Sequence, residues 1–224
     1  TVGVWNILTG EKETDLSPET YISSLTFSPK SDLLIINGIN NQLETEDDYL
    51  AIANLYETNT WSPLGNLYSF DLEGQVRFSA DGTRMAIFQS GAVSIWGKPD
   101  QKLADGFEVL KKFQLDLSQG RYKEAASMFA LDEYNTKFLV DLGLDVNDIP
   151  GSLEQLCAAQ SLVCYPVKEL VMMGYDWDSL QYLVRIEDPA GGNLLGPKGG
   201  QIFLVTLGMG KNGNPVITWP LGSY

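Results

Sequence analysis

The chain has no histidine, which removes Ser-His-Asp and Cys-His catalysis, histidine-containing zinc sites and the usual neutral-pH proton shuttle. Any acid–base or nucleophilic chemistry must fall to carboxylates, tyrosines, lysines or an external cofactor, and no motif calls for a cofactor. The only cysteines are Cys157 and Cys164, close in sequence but not in the C-x-x-C spacing of a redox or zinc motif. They either join, closing a short loop worth roughly 2–3 kcal/mol, or stay as two buried thiols. The expected state is the disulfide, which implies an oxidising compartment and export. Glu44-Thr45-Glu46-Asp47-Asp48 offers oxygen ligands without the glycine or the spacing of a calcium loop, so it reads as a solvated acidic loop and no metal is expected. Gly191-Gly192 and Gly199-Gly200 flank Pro197-Lys198 with strands expected on both sides. A phosphate cradle needs a helix after it, so this reads as a hairpin loop.

Fifteen basic against 29 acidic residues give a formal net charge of −14. The acidic excess runs through both halves and argues against nucleic acid and anionic lipid as partners. No apolar run approaches the roughly 20 residues of a membrane span. Thr1–Trp5 has no basic and apolar leader; an upstream signal peptide or lipid anchor stays open.

The elements that must position these groups fall into two kinds. Leu25-Thr26-Phe27-Ser28-Pro29-Lys30-Ser31-Asp32-Leu33-Leu34-Ile35-Ile36 returns without a gap as Val76-Arg77-Phe78-Ser79-Ala80-Asp81-Gly82-Thr83-Arg84-Met85-Ala86-Ile87. Each copy reads as strand, turn and strand. At the same offset Val2–Trp5 matches Ala53–Tyr56, and Val93–Trp96 is a third version, so Trp5, Tyr56 and Trp96 each close a strand. An ordinary sandwich has similar alternation; two matches at one offset favour repeated units. Residues 1–97 resemble WD-repeat and related β-propeller blades. The resemblance implies one full blade, most of another and the trailing strands of a third, so the chain is expected to be a piece of a longer protein. Propellers host many activities, and the architecture names none.

Near Lys98-Pro99-Asp100 the apolar period changes from two to three and four, giving expected domains of 1–98 and 99–224. Apolar residues from Phe107 to Ala130 predict two helical pieces joined at Ser118-Gln119-Gly120, the second spanning 121–130. A short helix is expected over 136–142, and another capped by Ser152 with Glu154 and Gln155 in its first turn. Strands follow over 167–175, 180–187, 201–207 and 215–219. The expected fold class is therefore mixed: a partial propeller of about two blades, then an α+β domain with helices packed on a curved antiparallel sheet.

Phe113–Leu117 and Gly120-Arg121-Tyr122-Lys123-Glu124-Ala125-Ala126-Ser127-Met128-Phe129, continuing through Cys157, Cys164-Tyr165-Pro166-Val167 and the four strands, resemble nuclear transport factor two-like domains. The likeness is to the version attached to bacterial envelope proteins, where two cysteines flank the passage from helix to sheet. It implies a cone-shaped pocket, in which some members run isomerase, dehydratase or cyclase chemistry on an Asp, His or Tyr. The polar residues offered here are Tyr122, Tyr134, Asp141, Tyr175, Asp176, Asp178 and Tyr182, with no recognisable dyad. No catalytic residue is assigned; the expected ligand-binding residues are Tyr122, Tyr134, Tyr182 and Trp219. Trp177, Trp219 and Phe203 are also what a small core needs. The expected function is a non-catalytic, exported bacterial binding protein with a protein or small-molecule partner. The alternatives are a small-molecule enzyme working from the cone, and a dimerisation scaffold pairing through the second domain.

Overall fold

The computed structural model describes residues 1–18, 20–40, 51–69, 75–89, 92–98, 100–131, 133–176, 179–196 and 201–218. The acidic loop 44–48 and Lys198 lie outside them. Among the described residues there are four helices and four antiparallel sheets, and no sheet closes into a barrel. The chain divides into two compact units, Thr1–Trp96 and the residues from Gly97 onward.

The first unit is all strand. A two-stranded sheet pairs β1 (Val2–Trp5) with β2 (Lys12–Leu16). A four-stranded meander follows: β3 (Thr20–Phe27), β4 (Leu33–Asn40), β5 (Ala51–Glu57) and β6 (Ser62–Ser69). The third sheet is β7 (Gln75–Phe78), β8 (Met85–Gln89) and β9 (Ala92–Trp96), again in sequence order.

The repeated segment builds the same turn twice. Ser28 N–H donates to Leu33 O and Ser31 N–H to Ser28 O; Ser79 N–H donates to Arg84 O and Gly82 N–H to Ser79 O. In each copy the serine hydroxyl accepts the N–H that opens the return, from Leu33 or Arg84, and donates to a turn aspartate, Asp32 or Asp81, at 2.6 Å. Ser79 first, then Thr83, holds the Asp81 carboxyl down to about 2. Ser31 (φ 54°) and Gly82 (φ 69°) occupy the same left-handed position.

β4 is buried on both faces. Leu34 and Ile36 pack with Tyr56, Leu16, Val2 and Val4, while Leu33 and Ile35 fill the opposite face. On that second side Thr26 Oγ1 donates to Val76 O, joining β3 to β7.

The second unit opens with α1 (Gln101–Ser118). Asp100 caps it by accepting from Leu103 N–H at 2.9 Å. Its buried stripe, Leu103, Gly106, Leu110, Phe113, Gln114 and Leu117, has helical spacing. After it come α2 (Tyr122–Ala126), α3 (Glu133–Asp141) and α4 (Ile149–Ala158). The sheet is a meander of β10 (Val167–Asp176), β11 (Ser179–Ile186), β12 (Phe203–Met209) and β13 (Pro215–Ile217). One core joins the helices to this sheet through Phe113, Leu117, Leu153, Leu180, Tyr182 and Val184.

Two local expectations are corrected. The second helical piece ends at Ala126 rather than Ala130, because Ile217 N–H donates to Met128 O and Ala130 N–H to Ile217 O. Those bonds draw the strand-like segment around Phe129 to the edge of β13. The last helix is capped by Asp148, which accepts from Gly151 N–H at 3.0 Å, and not by Ser152. Pro150 is tolerated because first-turn N–H groups have no helical partner to lose. Ser152 is buried one turn inside and donates to Asp145 O.

Candidate functional site

The second unit contains a cleft of about 580 Å³. Its walls come from four places: the end of α1 with Tyr122, the end of α4, the crossing from Leu162 to Tyr165, and Leu194–Gly196 opposite Phe203 of β12. Local chemistry explains why these segments meet. The C-terminal carbonyl groups of α1 lead into Arg121, whose N–H returns to Asp116 O at 2.8 Å, turning the chain so that Tyr122 faces back toward the cleft. α4 closes at Gln160 in the left-handed region (φ 56°), and Ser161 and Leu162 N–H both return to Leu156 O.

The crossing to the sheet is pinned twice. Cys157 and Cys164 are joined by a disulfide with Cα atoms 5.7 Å apart, and both line the cleft. Gln114, buried on α1, donates its amide to Val163 O at 2.8 Å and Tyr165 O at 3.1 Å in the orientation that satisfies both.

A charged buttress stands behind the wall. Asp116 is almost fully buried and binds Lys112 Nζ at 2.6 Å and Arg121 Nε at 2.8 Å, with Arg121 Nη2 on the same oxygen. Burial alone pushes its carboxyl up. The hydrogen bonds and charges of Lys112 and Arg121 outweigh this and hold it below the usual carboxylate range.

The lining itself is neutral. Its polar groups are the Tyr122 and Tyr165 hydroxyls, Ser118, Gln160 and the disulfide; among the described residues it carries no carboxylate and no amine. Leu195, more than half exposed, stands at the rim. Such walls can desolvate an apolar body and offer it a few hydroxyl or amide hydrogen bonds; they hold no charged acid–base pair.

The expected ligand residues are scattered. Tyr122 lines the cleft. Tyr182 belongs to the core: it is 0 % exposed, its hydroxyl donates to Leu103 O at 2.9 Å, and it stacks on Phe107 at 5.9 Å between centroids. Burial, aided by nearby negative charge, raises its pKa well above the ordinary value. The Tyr134 side chain and Trp219 lie outside the described residues, as do Asp178, Trp177 and the Asp176 side chain. Asp141 is an exposed partner of Lys137.

One carboxylate does stand beside a tyrosine. Tyr175 Oη donates to Asp100 at 2.7 and 2.9 Å. Burial first, then Asp100, pushes its hydroxyl up to about 12, while Leu103 N–H and Tyr175 lower Asp100. This pair caps α1 and does not line the cleft. Sequence reasoning missed the lining residues beside Cys164, which are Leu162, Val163 and Tyr165, and those of Leu194–Gly196. The cysteine pair was the only signal near the first, and the glycine-rich turn the only one near the second.

Among the described residues no helix is long and apolar enough to cross a membrane, and no cluster of three or more carboxylates or cysteines could hold a metal ion. Compared with protein-family models, curated proteins and solved structures, the chain finds no match.

Proposed function

We propose that this protein is a non-catalytic, exported binding protein whose second unit receives a neutral, largely apolar ligand in the cleft between α4 and β12. The observation that carries the reading is the composition of the cleft: apolar walls, neutral hydrogen-bonding groups and a disulfide, with the Asp100–Tyr175 pair used as a helix cap. The disulfide favours an oxidising compartment. On this reading the first unit is a run of propeller blades that offers an interaction surface, and the second is a nuclear transport factor two-like module. Support for the blades is the sheet order and the duplicated turn. Support for the module is the order of four helices before a four-stranded antiparallel sheet.

The test is binding of a neutral naphthylamine fluorophore, compared between wild type and Ala158→Trp. Ala158 is exposed at the end of α4 and lines the cleft, so the indole fills space without entering the core. Saturable binding lost in Ala158→Trp, with unchanged circular dichroism, is the expected result. Equal binding by both proteins, or none by the wild type, overturns the assignment.

A further inference from the structure

Two helices of the second unit end at the cleft. Leu117 and Ser118 from the last turn of α1, and Cys157 and Ala158 from the last turn of α4, lie in its walls. A helix closes on carbonyl groups that have no partner within it and that point out along its axis. At α1 the following turn takes up most of them: Gln119 N–H and the Ser118 hydroxyl donate to Leu115 O, Arg121 N–H to Asp116 O and Gly120 N–H to Leu117 O. At α4, Ser161 and Leu162 N–H donate to Leu156 O, and Gln160 N–H donates to Cys157 O at 3.1 Å. Among the described residues no donor reaches the final carbonyl of either helix, Ser118 O or Ala158 O.

The same bonds decide what this end of the cleft offers a ligand. The N–H groups leaving α4 are spent, and so is the Ser118 hydroxyl hydrogen, held by Leu115 O at 2.8 Å, which leaves the Ser118 oxygen as an acceptor. Tyr122, Tyr165 and Gln160 carry groups of both senses, and the lining has no amine, guanidinium or indole. Where the two helices end, the groups fixed in one sense are therefore acceptors. The field has the matching sign. No basic residue stands in the last turn of either helix, and each C-terminus is the negative end of its dipole. Arg121, the first cation beyond α1, is held by Asp116 and Gln119, and Lys112 by the same carboxylate.

We infer that the cleft selects neutral apolar ligands whose polar end donates a hydrogen bond, phenols in particular, over their ether and carboxylate counterparts. This rests on the cleft being the ligand site proposed above and adds the polarity of what enters it. A phenol has a flat apolar body for the rings of Tyr122, Tyr165 and Phe203, and a hydroxyl hydrogen for the acceptors at the helix ends. An ether of the same shape sets an acceptor against acceptors and leaves both sides without a donor. A carboxylate gives up its water where no cation lines the wall and meets the negative ends of two helices.

The test is equilibrium dialysis of the full chain at neutral pH against three ligands built on one ring system: 2-naphthol, 2-methoxynaphthalene and 2-naphthoate. The wild type is expected to bind 2-naphthol about tenfold or more tighter than either of the others. Gln160→Lys places an ammonium beside the end of α4 at an exposed lining position, and is expected to narrow the gap between naphthol and naphthoate about tenfold, with unchanged circular dichroism. Three results overturn the inference: the ether bound as tightly as naphthol, naphthoate bound as tightly as naphthol by the wild type, or a gap that a folded Gln160→Lys protein leaves as it was. In each of them a wild type that still binds the naphthylamine fluorophore keeps the cleft as a ligand site and loses only the donor selectivity. A wild type that binds neither the fluorophore nor 2-naphthol overturns the site and the selectivity together.

Discussion

Gly106→Ala should destabilise the second unit, although alanine is the better helix former. Gly106 sits on the buried face of α1 beneath β11, and a Cβ built there lies 2.2 Å from Tyr182 Oη and 2.6 Å from Leu180 Cδ1. The helix gains about 1 kcal/mol from the exchange. Against this, the methyl must push the tyrosine aside in a core where Tyr182 and Leu180 are both 0 % exposed, an overpacking cost of about 1–3 kcal/mol. The same displacement pulls the hydroxyl off Leu103 O and strands a buried donor, a further cost of about 1–3 kcal/mol. The net loss is about 3 kcal/mol, roughly 10 °C in the unfolding midpoint for a unit of this size. Tyr182→Phe should cost only about 1 kcal/mol, the worth of one buried hydrogen bond. Once the oxygen is gone, the nearest ring atom, Cζ, is 3.3 Å from the added methyl. The double variant should therefore be more stable than the sum of the singles by about 1.5–3 kcal/mol. The assay is denaturant unfolding with the disulfide intact, with exchange of the β11 amides reporting on this unit. A Gly106→Ala protein as stable as wild type, or additive losses in the double variant, would refute the reasoning.

Other consequences can be measured on the same protein. Reducing Cys157–Cys164 should cost about 2.5 kcal/mol from the entropy of a loop with sequence separation 7, and alkylation before reduction should label no thiol. Asp116 is held below its unfolded pKa, so its contribution is complete above about pH 4 and is lost as pH falls through the lower folded value. Asp116→Asn should cost about 1–2 kcal/mol at pH 7, less than a fully buried pair because Lys112 and Arg121 are largely exposed, and should flatten the acid limb of the stability curve; an unchanged limb counts against the buttress. Ser31→Gly relieves a left-handed serine where the repeat already has Gly82, and should raise stability by about 0.5–1 kcal/mol in thermal unfolding.

What the sequence made legible is what local rules determine. Ser28 and Ser79, three positions before Ser31 and Gly82, mark a turn whose hydrogen bonds stay within six residues, and both copies form as their pattern requires. The change of apolar period near residue 100 marks α1, since Leu110, Phe113 and Leu117 need only their own spacing to define a buried stripe. Ser152 was misleading because a capping-box pattern is also met by a serine one turn inside a helix. Asp148 wins the cap because its carboxylate reaches Gly151 N–H while Pro150 occupies the first turn. Tyr182 and Tyr122 could not be told apart by type. Their difference is tertiary: one faces Leu103 O across the core, the other an opening bounded by segments more than 70 residues downstream at Leu194–Gly196.

The same tertiary step separates binding from catalysis. A tyrosine hydrogen-bonded to a carboxylate is a chemical dyad only if a substrate can reach it and the carboxylate is free to exchange its proton. Asp100 fails the second condition: one oxygen already accepts Leu103 N–H, both accept the Tyr175 hydroxyl, and its pKa is lowered rather than raised toward neutrality. Tyr175, pushed up to about 12, stays protonated through the physiological range and serves as a donor that stiffens the cap. Removing it should therefore show as stability and not as turnover: Tyr175→Phe loses one charge-assisted hydrogen bond at the start of α1, about 1–2 kcal/mol at most given its exposure, and leaves fluorophore binding in the cleft unchanged. If Tyr175→Phe instead abolished binding while unfolding at the wild-type midpoint, the cap would be part of the ligand site and the neutral-cleft assignment would fall with it.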